Sequence, residues 1–252
     1  MEKLPCSIFN DVIGPVMRGQ SSSHVAGAAR IADLVRQSMK DKIVRAIVDF
    51  DVKGALASSH TGHGTDMGFA CGLMGLPLSD PAVDQYERLA KERGIDIAYR
   101  ILDYGAVHPG NYRIKITDES GFSRHWEAIA VGGGMIEMQK LEEFDVTICG
   151  DFYELLVICE NDRKEYGKQI KERTGECDFT LESAGNGRIL LNLKYAHPVG
   201  KEILEQLKNI EGIQDIMYLE PVLPTHSAAG CKVPYSTSAG LLEYAGEHPM
   251  EA

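Results

Sequence analysis

Small and apolar residues recur at helical spacing across residues 26–40, with Ala29, Leu34, Val35 and Met39 on the pattern. That spacing predicts an amphipathic helix. Ser21, Ser22 and Ser23 stand just ahead of it, where serine marks a helix N-terminus. Residues 42–52 carry Ile43, Ile47, Val48 and Val52 and read as a strand. Residues 64–74 read as a short apolar helix, 82–93 as a polar helix and 96–102 as a strand. Residues 111–117 and 123–131 alternate polar and apolar positions around a turn at 118–121, which predicts a hairpin.

The pattern changes beyond residue 150. An apolar strand at 155–159 is followed by a polar helix at 162–173 and by strands at 179–183 and 189–195, joined at Gly185–Asn186–Gly187. An amphipathic helix at 199–210, with Ile203, Leu204 and Leu207 on one face, precedes a last strand at 213–219. The order βαββαβ is the ferredoxin-like plan. The expected fold class is therefore α+β, with a glycine- and histidine-rich domain over 1–150 and a ferredoxin-like domain over 151–220. Residues 221–252, opened by Pro221 and Pro224, read as a linker or tail with one short helix at 238–246.

The 252 residues give room for two modest cores. The net charge of -11, with Lys and Arg scattered among acids, argues against nucleic-acid binding. No run approaches the roughly 18 apolar residues of a membrane span, and the first ten residues do not read as a signal peptide. A cytoplasmic protein is expected. The cysteines Cys6, Cys71, Cys149, Cys159, Cys177 and Cys231 include no C-x-x-C pair. Reduced thiols are expected, with no metal or cluster held by this chain alone.

Four segments carry candidate chemistry. In Gly19–Gln20–Ser21–Ser22–Ser23–His24, hydroxyls and backbone N–H groups gather at a positive helix end, which suits a carboxylate or phosphate. His24 adds a donor or proton shuttle. Composition alone favours plain helix capping and a packed histidine there. In His60–Thr61–Gly62–His63–Gly64–Thr65–Asp66, the His and Asp spacing admits a metal. The glycines admit a turn that delivers His63 to a pocket, with Thr65 or Asp66 capping the next helix. In His108–Pro109–Gly110–Asn111, proline fixes a turn that can aim His108 and Asn111 at a substrate, or serve as a turn only. Gly132–Gly133–Gly134 permits close approach of a backbone or ligand, or marks a bulge. It is not G-x-G-x-x-G, so a dinucleotide site is rejected.

Taken together, these blocks resemble a known family. Ile13–Gly14–Pro15–Val16–Met17, followed by Ser21–Ser22–Ser23–His24 and Ala26–Gly27–Ala28, is similar to the opening of the β domain of iron–sulfur L-serine dehydratases. Gly62–His63–Gly64–Thr65–Asp66 and the triple glycine follow in that family's order. The chain departs from the family pattern at Gln20, at Val25 and at Gly110, which shifts the amide of Asn111 by one residue. Asp162–Arg163–Lys164–Glu165 stands where a family effector turn would be.

The resemblance implies an allosteric-substrate-binding-like serine dehydratase β domain followed by an ACT domain. It implies a lyase that converts L-serine to pyruvate and ammonia with an α subunit bearing a [4Fe-4S] cluster, in an oligomer. It implies His24, His63 and His108 as catalytic residues, and Ser21, Ser22, Ser23, Thr65, Asp66 and Asn111 as substrate-binding residues. Lys232–Val233–Pro234–Tyr235 is similar to the junction leading into an α portion. A stand-alone amino-acid sensor is the alternative.

Overall fold

The computed structural model describes residues 19–161, 165–223 and 237–247. Cys6, Ile13 to Met17, Asp162 to Lys164, Pro224, Cys231 and Lys232 to Tyr235 lie outside the described residues. The chain opens with α1 (Ser22–Gln37), then β1 (Ile43–Asp51), α2 (Leu56–Ser59), α3 (Thr65–Met74), a 3₁₀ turn at Pro81–Gln85, α4 (Tyr86–Glu92) and β2 (Asp96–Leu102). Strands β3 (Asn111–Asp118), β4 (Ser123–Gly132), β5 (Met135–Leu141) and β6 (Phe144–Ile148) follow as a meander. The six strands form one sheet in the order β2-β1-β3-β4-β5-β6. The β1–β2 pair is parallel, so the chain must cross over, and α2, α3 and α4 make that crossover.

The expected helix at 82–93 is two elements. Pro81 starts a 3₁₀ turn after Asp80, whose side chain accepts from Ala82 N at 2.7 Å, and α4 begins only at Tyr86. Strands β5 and β6 were not expected. The triple glycine does not end the sheet; Gly132, Gly133 and Gly134 all take positive φ and reverse the chain into β5. The β4–β5 register shifts between Ala130 and Gly132, so a bulge also stands there.

The second sheet holds β7 (Tyr153–Glu160), β8 (Phe179–Gly185), β9 (Arg188–Tyr195) and β10 (Ile213–Leu219), with α5 (Tyr166–Thr174) and α6 (Lys201–Leu207) between them. Its order, β10-β7-β9-β8, with every pair antiparallel, is the ferredoxin-like arrangement. After β10 the chain returns to the first part: the amides of Val222 and Leu223 both donate to the Gly150 carbonyl, at 2.8 and 2.9 Å. A last helix, α7, spans Ser238–Glu247.

Alternation along β7 and β9 gives the second sheet two different faces. Leu155, Val157, Leu191 and Leu193 pack with Tyr166 and Ile170 of α5 and Leu207 of α6. Leu156, Ile158 and Leu190, with Met217 and Leu219 of β10, instead join the apolar cluster built by α1 and the first sheet. Polar groups tie the same junction. Arg124 of β4, 1% exposed, and Lys40 both bond the Asp215 carboxylate of β10, at 2.7 and 2.5 Å. Burial alone would raise the Asp215 carboxyl, but these hydrogen bonds outweigh it and hold it below the usual range.

Candidate functional site

Two glycines fix the geometry at one end of the first sheet. A methyl group at Gly68 would lie 2.3 Å from the Val25 carbonyl oxygen, and one at Gly72 would lie 2.1 Å from that of Ala29. The contacts advance together along both helices, so α1 and α3 run parallel with their backbones in contact. Small residues four apart permit that approach. All ten residues of α3 are buried. Both N-termini therefore emerge side by side, each with a positive dipole end; at α3 the amides of Gly64, Thr65 and Met67 already donate to the Thr61 carbonyl, the His60 carbonyl and Asp66 Oδ1.

Two of the three expected histidines sit at these ends. The His24 and His63 rings lie 4.5 Å apart between centroids, at 50°. Ser21 Oγ is 2.8 Å from His24 Nδ1 and 3.4 Å from Ser23 Oγ. Ser21 occupies the N-cap position of α1, yet its side chain makes no cap hydrogen bond. Its hydroxyl is committed to the histidine, so the capping expectation gives way to a Ser–His pair. Ser22 is exposed at the first helical position. Burial, and then the neighbouring charge of His63, hold the His24 imidazole below its usual 6.5, which favours its neutral form.

The residues around His63 diverge. Gly64, at φ 75°, turns the chain into α3. His60 points away from the two rings: its Nδ1 is 3.0 Å from the Leu56 carbonyl, and its ring lies near Phe50 and Tyr99 at 5.1 and 5.8 Å. Asp66, 7% exposed, accepts from Met67 N at 2.8 Å and from the Tyr86 hydroxyl at 3.1 Å. It faces α4, so His60, His63 and Asp66 do not share a centre. Thr65 is fully buried, with its hydroxyl facing that of Tyr112. The expected cap of α3 by Thr65 or Asp66 is not made; Gly64 is the N-cap.

His108 lies on the loop between β2 and β3, at the same end of the sheet. Gly110 links it to the helices: its carbonyl accepts from Ala130 N at 2.9 Å, and Ala130 Cβ is 3.5 Å from the place a Cβ on Gly27 of α1 would take. His108 Nδ1 accepts from Gly110 N at 3.1 Å, so the neutral ring presents its proton on Nε2. Asn111 is 8% exposed, and its Oδ1 takes a hydrogen bond from the Tyr104 hydroxyl. Only its amide NH₂ is left for other work.

The triple glycine contributes backbone. Arg30 of α1 donates to the Gly134 carbonyl, and burial lowers the guanidinium pKa. Reading the sequence missed Arg30, and it missed the Gly68 and Gly72 contact, although their spacing of four was visible. It also missed Asp51 and Tyr104, because their roles depend on partners some fifty residues away in the chain.

Residues 7–96 match the family model for the serine dehydratase beta chain. That segment includes His24 and His63 and ends before His108. The chain is 40% identical over 152 residues to the probable L-serine dehydratase, beta chain, of Bacillus subtilis (strain 168), covering 60% of this chain and 67% of that one. It is 23% identical over 217 residues to the L-serine dehydratase, beta chain, of Peptoniphilus asaccharolyticus, covering 83% and 96%. With its paired helix ends and their histidines in the matched segment, the chain belongs to the serine dehydratase beta chain family.

Proposed function

We propose that this chain is the β subunit of an iron–sulfur L-serine dehydratase, active with an α subunit that brings the [4Fe-4S] cluster. The observation that carries the reading is the pair of parallel helix N-termini with His24 and His63 in ring contact. A carboxylate set between two such ends meets two dipoles of favourable sign. Ser22 and Ser23 add hydroxyls for it. The relatives' names favour an enzyme subunit over a free-standing sensor.

The described residues do not fit a cluster. Cys71 and Cys159 are buried in different apolar clusters, and burial lifts the Cys71 and Cys149 thiols to about 11. Among the described residues no three His, Cys, Asp or Glu side chains come together to hold a metal.

L-serine loses its α-proton and its β-hydroxyl as water, and the resulting enamine tautomerises and hydrolyses to pyruvate and ammonia. His24, neutral at physiological pH and backed by Ser21, is suited to hold or take a proton. His108, with Nδ1 occupied, is suited to donate from Nε2. The test is anaerobic co-purification with the α subunit and assay of pyruvate release. His24→Ala and His63→Ala should each lose on the order of 10²–10⁴-fold in kcat at unchanged cluster content. Near-normal turnover in both would refute the assignment.

A further inference from the structure

The loop that carries His108 has no regular structure of its own, yet the end of β1 grips it at several points. The Asp51 side chain, in a residue 2% exposed, divides its two oxygens. Oδ1 accepts from Lys53 N at 2.9 Å, an ordinary local turn bond. Oδ2 reaches across the fold and accepts from Tyr104 N and Ala106 N, both at 3.0 Å. A local turn does not account for that second pair.

Further contacts follow the same line. Ala55 N donates to the Pro109 carbonyl at 2.9 Å, and a Cβ at Gly54 would sit 2.9 Å from that same oxygen. The Tyr104 hydroxyl donates between the Asp49 carbonyl, at 3.1 Å, and Asn111 Oδ1. The Arg113 guanidinium lies 4.2 Å over the Tyr104 ring. Ala55 is also the N-cap of α2, whose chain continues to His63. One short segment therefore supports both the arm that leads to His63 and the loop that bears His108.

We propose that Asp51 is a positioning residue for the dehydratase reaction: its carboxylate clamps the 103–110 loop to the end of β1 and so sets His108 relative to His24 and His63. The inference rests on the reading that His108 takes part in proton handling. The three N–H groups need two acceptor oxygens, and an amide side chain would turn a donor toward part of them. Asparagine should therefore not replace Asp51.

The test pairs a structural readout with a kinetic one. In the Asp51→Asn chain, amide exchange at Tyr104 and Ala106 should rise at least about tenfold while β3 and β4 keep their protection. With the α subunit, kcat should fall on the order of 10-fold to 10²-fold, and KM for L-serine should change much less. Gly54→Ala, which presses on Pro109 from the other side, should give the same two changes if Asp51→Asn fails to fold. Unchanged exchange in the loop overturns the proposal. So does a loosened loop with unchanged kcat when His108→Ala does lower kcat. If His108→Ala itself has no effect, the reading of His108 fails, and the positioning role falls with it.

Discussion

Replacing Gly68 by alanine adds one methyl group at the closest point between α1 and α3. That methyl would stand 2.3 Å from the Val25 carbonyl oxygen and within 3.0 Å of two further Val25 backbone atoms, whereas ordinary contact begins near 3.4 Å. The obstacle is backbone, so no side chain can swing aside, and the helices must part by roughly 1 Å. Overpacking of this kind costs about 1–3 kcal/mol. Opposing it, alanine gains up to about 1 kcal/mol of helix propensity over glycine. The steric term wins, and the net expectation is a loss of about 1–2 kcal/mol, read from urea unfolding at constant m. The same shift separates His63 from His24, so kcat in the assembled enzyme should fall by as much as 10²-fold. Gly72→Ala, at 2.1 Å, should cost at least as much. Gly167→Ala in α5 is the control: among the described residues nothing lies within 4 Å of its added methyl, and propensity alone should stabilise by a few tenths to about 1 kcal/mol. If Gly68→Ala were as stable as the parent, with full turnover, the helices would not pack in the way described.

Three further outcomes follow. His24 titrates below its usual 6.5, so as pH falls the unfolded chain takes up this proton first, and the His24 contribution to stability is lost as pH drops through the depressed value. In His63→Gln, ring NMR should show the His24 pKa rising toward 6.5 but stopping short, because burial is the larger cause; a value in the parent at or above 6.5 would refute this. Between the sheets, Glu154, fully buried, is bonded by Lys194 at 2.9 Å and Asn192 at 2.7 Å. Lys194→Met should cost about 3–5 kcal/mol by stranding that carboxylate, and pairing it with Glu154→Gln should recover a large part of the loss in thermal unfolding.

What could be read from the sequence was whatever local pattern decides. Helix α1 and strand β1 were expected within a few residues of their bounds, and β2 and β10 match theirs. The βαββαβ order was likewise legible, because each element alternates or repeats by itself. Strands β5 and β6 were not, because a glycine triple reads equally well as an end or as a reversal. Only the pairing of β5 with β4 decides between them. The same rule divides the site. His24 and His63 stood out as candidates because each sits beside a turn or helix start, and the family resemblance gave them their roles. Their contact could not, because it depends on Gly68 and Gly72 meeting Val25 and Ala29 on another helix.

The relation between the two sheets shows the same limit at larger scale. Sequence spacing suggests a boundary near residue 150, and each side does own a sheet. The apolar runs of β7 and β9 give them two apolar faces, however, and a four-stranded sheet with two helices can cover only one. The second face needs another cover, which α1 and the first sheet supply within one shared apolar cluster. A strand that is apolar on both faces, such as Leu155 to Cys159, already states that something outside its own βαββαβ unit must pack on it. The partner's identity is a tertiary fact. Because α1 both covers this face and carries His24, disturbance of the junction between the sheets reaches the candidate site through one rigid helix.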